Sequence, residues 1–160
     1  MAGFQSIYEE HGRAVYRFLL ALTGEPQQAE ELLQETFCQA LIHINRFEGR
    51  CSLYTWLCQI GKNAWLRECR RRERFADEPA EELPLAAPNT PESDYLQKET
   101  LRAIRRAVHD LDEPYKEVFV LHVFGGLKLK EIAAALGKSE SWARVTYHRA
   151  KQRILKEVNQ

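Results

Sequence analysis

Apolar residues recur along this chain at intervals of three and four positions, the spacing that places them on one face of an α-helix. No segment shows the sustained alternation of apolar and polar positions that is typical of a β-strand. In the first half, the pattern predicts a helix that stops at Thr23-Gly24, a second helix from about Pro26, and a third from about Leu53 to Arg74. The predicted core positions of these helices are Phe4, Ile7, Tyr8, His11, Val15, Phe18, Leu19, Leu22, Ala29, Leu32, Leu33, Phe37, Ala40, Leu41, Ile44, Leu53, Trp56, Leu57, Ile60 and Ala64.

The helical pattern is interrupted between Ala76 and Ser93, where four of the six prolines fall among alanine and acidic residues. A stretch of this composition is too polar and too often broken by proline to pack. We therefore predict an all-α fold of two small helical domains, at residues 1–75 and 94–160, joined by a flexible acidic linker at 76–93.

The second half is predicted to contain a helix-turn-helix. One helix is expected on Leu101, Ile104, Val108 and Leu111, and another starts near Pro114 and ends at Gly125-Gly126. A short helix over Lys130–Leu136 is followed by a break at Gly137-Lys138 and by a last helix from Ser139, whose hydroxyl can cap it. Two helices joined by a short glycine-containing turn are typical of this motif.

The last helix has two chemically different faces. Its apolar positions, expected to face the core, are Ala143, Tyr147, Ala150 and Ile154. The opposite side presents Ser141, Arg144, Val145, His148, Arg149 and Lys151. Between Lys138 and Lys156 there are six basic residues and one acidic residue. Such a face suits insertion into the major groove of DNA, although a basic surface helix exposed only to solvent has the same pattern.

Charge is distributed unevenly along a chain whose net charge is zero. The segment from Lys62 to Arg74 contains six basic and two acidic residues, and the segment from Phe75 to Thr100 contains seven acidic residues and one basic residue. Because binding to phosphates depends on local clusters of lysine and arginine, the net charge does not exclude nucleic-acid binding.

Several other classes of function are disfavoured by the composition. The four cysteines contain no CxxC pair and do not form a zinc-ligand pattern together with the five histidines, so we expect neither a metalloprotein nor a thiol redox enzyme. No glycine-rich phosphate loop and no catalytic constellation is present, so we expect no enzyme activity and no cofactor. No apolar run is long enough to span a membrane and no signal peptide is recognisable, so the expected location is the cytoplasm. A homodimeric regulator that binds duplex DNA by itself remains an alternative.

Two long motifs carry a family resemblance. The stretches "AEELLQETFCQALIHINRFEG" and "LYTWLCQIGKNAWLRECRRR" resemble the first conserved domain of the extracytoplasmic-function sigma factors of bacterial RNA polymerase. The stretch "LDEPYKEVFVLHVFGGLKLKEIAAALGKSESWARVTYHRAKQRI" resembles the C-terminal domain of these proteins. The last helix departs from the family, which commonly has Gly-Thr-Val-Lys-Ser-Arg-Leu where this chain has Ser141–Tyr147. Because the core positions of this helix remain apolar, the departure does not affect the expected fold. It affects which DNA sequence the helix is expected to read.

The resemblance implies a protein that brings core RNA polymerase to a promoter, reads two DNA elements and helps to separate the strands. It implies that Glu31, Gln34 and Glu35 bind core polymerase. It implies that the upstream element is bound by the six residues of the last helix given above, Ser141 to Lys151. The downstream element, as an unpaired strand, would be bound by Phe47, Glu48, Gly49, Arg50, Lys62, Asn63 and Arg67. Trp56 and Trp65 are candidates for stacking on bases, although the position of Trp56 favours the core. An anti-sigma factor is a further expected partner, and no direct membrane insertion is expected.

Overall fold

The computed structural model describes residues 2–74 and 92–159, and every regular element within these ranges is helical. The α-helices are α1 (Ala2–Thr23), α2 (Pro26–His43), α3 (Leu53–Arg74), α4 (Glu92–His109), α5 (Tyr115–Phe119), α6 (Leu129–Leu136) and α7 (Glu140–Val158). A 3-10 turn at Ile44–Arg46 follows α2, and a π-helical turn at Val120–Phe124 continues α5. The predicted all-α class is confirmed.

The expected linker at 76–93 lies outside the described residues except for its last two positions. Glu92 and Ser93 form the start of α4, so this helix begins two residues before the expected domain boundary at residue 94.

Helices α1, α2 and α3 form an N-terminal unit around a buried apolar core that includes Phe18, Leu19 and Leu57. Gly61 lets α3 approach the other two helices closely. A Cβ atom at this position would lie 3.3 Å from Oγ1 of Thr36 and 3.4 Å from Cδ2 of Leu19. The absence of a side chain at Gly61 thus allows α3 to pack closely against α1 and α2. The faces of α3 that do not contact these helices remain available to other partners.

Three residues of the predicted helical apolar pattern, two of them predicted core positions, are largely exposed. Tyr8 is 48% exposed, Leu41 is 41% exposed and Leu101 is 43% exposed. The ring of Tyr8 still packs on Phe37, with 4.9 Å between ring centroids. The apolar stripe is therefore wider than the surface that neighbouring helices cover.

The C-terminal unit contains the predicted helix-turn-helix. Helix α6 ends at Leu136, and the next residue, Gly137, has φ of +69°, a conformation that glycine adopts without strain. The N–H of Lys138 donates to the carbonyl of Ala133 at 2.9 Å, and the hydroxyl of Ser139 accepts from the N–H of Trp142 at 3.1 Å. These bonds end α6 and begin α7 within three residues, so the predicted break and cap are confirmed.

The two units pack against each other, which the sequence pattern does not predict. Their buried apolar residues form one continuous cluster. Polar contacts cross the interface as well, since Nε of Arg105 donates to the carbonyl of Ala21 at 3.0 Å. Helix α4 is thereby fixed against the end of α1.

Candidate nucleic-acid interface

Helix α7 presents a broad polar face to solvent. Its core side buries Ala143, Ala150 and Ile154, and Thr146 is buried beside them. All six residues expected to bind the upstream element are exposed: Ser141, Arg144, Val145, His148, Arg149 and Lys151. The helical spacing of these positions places them on a single side of the helix. The face is therefore accessible to a DNA groove.

Arg144 forms an ion pair within α7. Its guanidinium donates to Oε1 of Glu140 at 2.8 Å, one turn earlier, while its side chain remains 68% exposed. Arg153 behaves differently, because its guanidinium lies 4.0 Å from the ring centroid of Tyr115 and thus faces the protein. Arg144 thus lies on the outer face of α7, whereas Arg153 packs against Tyr115 of α5.

On α3, Asn63 and Arg67 are exposed and lie one helical turn apart. A guanidinium nitrogen of Arg67 lies 3.6 Å from a carboxylate oxygen of Glu35 on α2. These two of the three residues expected to hold the strand therefore lie on one exposed face of α3. An amide and a guanidinium at this spacing can contact a base edge and a phosphate of one strand.

Lys62 does not join them, although it was expected to. This residue is only 3% exposed. Its ammonium pairs with the carboxylate of Glu113 and lies 3.8 Å from that of Glu117, both from the C-terminal unit. Burial raises the pKa of Glu117, and the charge of Lys62 opposes this rise. In this arrangement the ammonium of Lys62 is closed off from solvent and from DNA, because the second unit covers it.

Glu113 and Glu117 are the residues that sequence reasoning missed at this site. They lie more than fifty positions from Lys62 along the chain, 51 in the case of Glu113. No local sequence pattern links residues this far apart. The sequence offered one signal for such a contact, the two glutamates near the start of the helix predicted from Pro114.

The loop before α3 exposes three of its four candidate residues. Glu48, Gly49 and Arg50 are exposed, and a guanidinium nitrogen of Arg50 lies 3.0 Å from a carboxylate oxygen of Glu48. Phe47 is half-buried and packs against Trp56, with 5.2 Å between ring centroids. This loop presents a polar edge supported by an aromatic pair, an arrangement that can receive an unstacked base.

The two tryptophans of α3 differ in exposure, and the sequence favoured a place only for Trp56, in the core. Trp65 is 5% exposed and its ring meets the ring of His109 edge to face, with 6.2 Å between centroids. Trp56, expected in the core, is only half-buried. Trp56 therefore offers the more accessible ring, because the C-terminal unit covers Trp65.

The residues expected to bind polymerase lie exposed on α2: Glu31, Gln34 and Glu35. Glu31 and Glu35 also line a groove of about 280 Å³ between α2 and α3, whose opposite wall includes Arg67 and Arg71. A hydrogen bond from Arg71 lowers the pKa of Glu68 in the same groove. The groove is therefore lined by both carboxylates and guanidinium groups. Such a surface can bind a partner that carries charges of both signs.

The four cysteines are free thiols. Cys58 is buried, and burial raises the pKa of its thiol to about 12. Within residues 2–74 and 92–159, no group of three or more His, Cys, Asp or Glu side chains is arranged to hold a metal ion. None of the helices in these ranges combines the length and the apolar character needed to cross a membrane.

Comparison with known families matches both units. The profile of Sigma-70 region 2 matches residues 7–75, and that of Sigma-70, region 4 matches residues 101–154. The chain is 30% identical over 148 residues to the ECF RNA polymerase sigma factor SigM of Bacillus subtilis (strain 168), covering 92% of this chain and 90% of that protein. It is 27% identical to the ECF RNA polymerase sigma factor SigX of the same organism, covering 97% of this chain and 83% of SigX.

Solved structures share the fold. The sigma factor RpoE of Bartonella quintana, crystallised in complex with the anti-sigma factor NepR, superposes with a TM-score of 0.60 at 20% identity, covering 99% of this chain and 98% of that one. CnrH, in complex with the cytosolic domain of CnrY, also gives a TM-score of 0.60, at 22% identity, covering 98% of this chain and 87% of that one.

Proposed function

The chain belongs to the extracytoplasmic-function sigma factors, which direct core RNA polymerase to specific promoters to initiate transcription, and on this premise we propose how its helices divide that work. Helix α7 reads the upstream promoter element as a duplex. Helix α3 and the loop before it hold the downstream element as an unpaired strand and so help to melt the promoter. Helix α2 binds core polymerase. The exposed face of α7, with Arg144 at its second turn, is the observation that carries this proposal most directly.

The upstream assignment rests on the chemistry of the α7 face. Arg144 can donate two parallel hydrogen bonds to a guanine edge, whereas Lys151 offers a point charge that suits a phosphate. Val145 supplies apolar contact of the kind that recognises a thymine methyl group. Glu140, now paired with Arg144, would release the guanidinium when a base edge replaces it.

The downstream assignment rests on the accessible polar groups of α3 and its loop. Asn63 and Arg67 would hold the strand, and the edge formed by Glu48, Gly49 and Arg50 would receive a base turned out of the stack. The packing of Phe47 against the ring of Trp56 would hold this loop in position. Lys62 would join this set only where Glu113 and Glu117 no longer cover its ammonium.

The polymerase assignment rests on Glu31, Gln34 and Glu35, exposed along one side of α2. These acidic and amide groups would meet a basic surface of core polymerase. We further propose that the protein works as a binding factor without catalysis of its own, in the cytoplasm, and that an anti-sigma factor holds it inactive, as the Bartonella quintana relative is found bound to one.

The decisive experiment is run-off transcription with purified core polymerase on genomic fragments, followed by mapping of start sites. Specific start sites should appear only when this protein is added. A variant with Glu31→Ala and Glu35→Ala should lose them together with co-elution with core polymerase in size-exclusion chromatography. A matched variant with Glu9→Ala and Glu30→Ala, two other exposed carboxylates, should retain both. Equal loss in the two variants would overturn the assignment of α2.

A further inference from the structure

An ion pair whose ammonium is buried and whose main carboxylate is half-exposed joins α3 to the segment where α5 begins. The ammonium of Lys62 is paired with one carboxylate oxygen of Glu113 and lies 3.8 Å from an oxygen of Glu117. The other oxygen of Glu113 accepts from the backbone N–H of Glu117 at 3.1 Å. Both carboxylates are thus held around one ammonium, in an interface that connects the two units.

Two further residues of α3 contact the C-terminal unit on the same face of the helix. Trp65 packs against His109, and a carboxylate oxygen of Glu73 lies 2.7 Å from Nε2 of that histidine. Lys62, Trp65 and Glu73 are three and eight positions apart, a spacing that places them on one face of α3. Asn63 and Arg67 lie outside this face and remain exposed. Closure therefore withdraws Lys62 and Trp65 while leaving the neighbouring polar groups accessible.

We propose that Glu113 and Glu117 act as an intramolecular latch on Lys62 that keeps the two units closed in the free protein, and that phosphate groups of a nucleic-acid strand compete with these carboxylates for the same ammonium when the units separate. The inference rests on the proposed function of α3 as a strand-binding helix. Carboxylate and phosphate oxygens are alternative partners of a lysine ammonium, so one side chain serves both states.

The burial of Lys62 makes the latch testable. Removing the partners of a buried charge leaves that charge uncompensated, which is strongly unfavourable, whereas replacing the whole pair by uncharged groups of similar volume is often neutral. A variant with Glu113→Gln and Glu117→Gln should therefore open, since separation of the units restores hydration of Lys62. Adding Lys62→Met removes the buried charge and should close the protein again.

Small-angle X-ray scattering on the full chain measures closure without DNA or polymerase. A compact chain of 160 residues has a radius of gyration of about 15 Å. We expect the wild type and the triple variant near this value, and the double variant about a quarter larger, as for two separated units. The matched control removes two exposed carboxylates of the same segment, by Asp110→Asn and Asp112→Asn, and should stay compact. Circular dichroism should show unchanged helix content throughout, so that expansion is not mistaken for unfolding.

Binding of a mixed-sequence single-stranded oligonucleotide tests the competition. The double variant should bind the oligonucleotide about tenfold more tightly than the Asp110→Asn, Asp112→Asn control. In the double variant the ammonium of Lys62 becomes available, and the strand does not have to displace Glu113 and Glu117 from it. The triple variant, which lacks the lysine, should not gain affinity beyond the control.

Two results would overturn the proposal. If the double variant scatters like the wild type, Glu113 and Glu117 do not hold the units closed. If it expands but binds the strand no better than the control, phosphates do not compete for Lys62. Neither result bears on whether the protein initiates transcription with core polymerase, which the start-site experiment decides separately.

Discussion

The hydroxyl group of Tyr54 donates a hydrogen bond to the backbone carbonyl of Gly125, at an oxygen–oxygen distance of 2.8 Å. The two residues are 71 positions apart and belong to different units. Gly125 ends the π-helical turn after α5, and Tyr54 lies in the first turn of α3. The bond therefore fixes the start of α3 against the segment that leads into the helix-turn-helix.

Replacing Tyr54 by phenylalanine should destabilise the packing of the two units by about 1 kcal/mol, the usual net contribution of one such hydrogen bond. The ring and its packing are retained, so the change reports on the hydroxyl alone. Denaturant unfolding of the full chain measures the effect. Tyr8→Phe is the control, because Tyr8 is exposed and its hydroxyl makes no hydrogen bond within the described part of the chain. A similar loss in both variants would contradict the role given to the Tyr54 hydroxyl.

Replacing Ser139 by alanine should destabilise the C-terminal unit by about 1 kcal/mol, since the N–H of Trp142 then loses the oxygen that caps α7. Ser139→Thr retains a hydroxyl and should recover most of this stability. Thermal unfolding of both variants provides the measurement. An alanine variant as stable as the wild type would mean that the cap contributes nothing to α7.

Replacing Arg144 by alanine should weaken binding to the cognate upstream element by about 1–3 kcal/mol and relax the preference at one base pair. Lys151→Ala should weaken all sequences alike and lower the salt dependence by about one charge. Both can be measured by titrating the complex with core polymerase against promoter variants that differ at single base pairs, at two salt concentrations. A uniform loss for Arg144→Ala would make Arg144 a phosphate contact and leave specificity to Ser141, Val145 and His148.

Replacing Asn63 or Arg67 by alanine should reduce open-complex formation on duplex promoters and have less effect on templates melted in advance over the start site. Contacts made only with the separated strand offset the cost of unpairing, at about 1–3 kcal/mol for each base that is held. Abortive initiation on the two kinds of template compares these cases. Gln5→Ala, at an exposed polar position of α1, should leave both activities unchanged. Wild-type activity of both α3 variants on duplex promoters would remove this helix from strand binding.

Sequence alone determined the features that depend on neighbouring residues. The third helix was predicted from Leu53 to Arg74 and has these bounds, because its period and its flanking loop are local signals. The turn at Gly137 and the cap at Ser139 were predicted for the same reason, since backbone conformation and capping involve residues only a few positions apart.

Tertiary structure decided which faces of the helices are covered. Periodicity identifies the residues that share a face, but it does not identify the element that packs on that face. Tyr8 continues the apolar stripe of α1 and is exposed, because no helix reaches over it fully. Lys62 belongs to a basic segment and is buried, because Glu113 and Glu117 approach it from the other unit. A buried ammonium requires partners brought together by the packing of distant segments, so its environment arises only when the whole chain has folded.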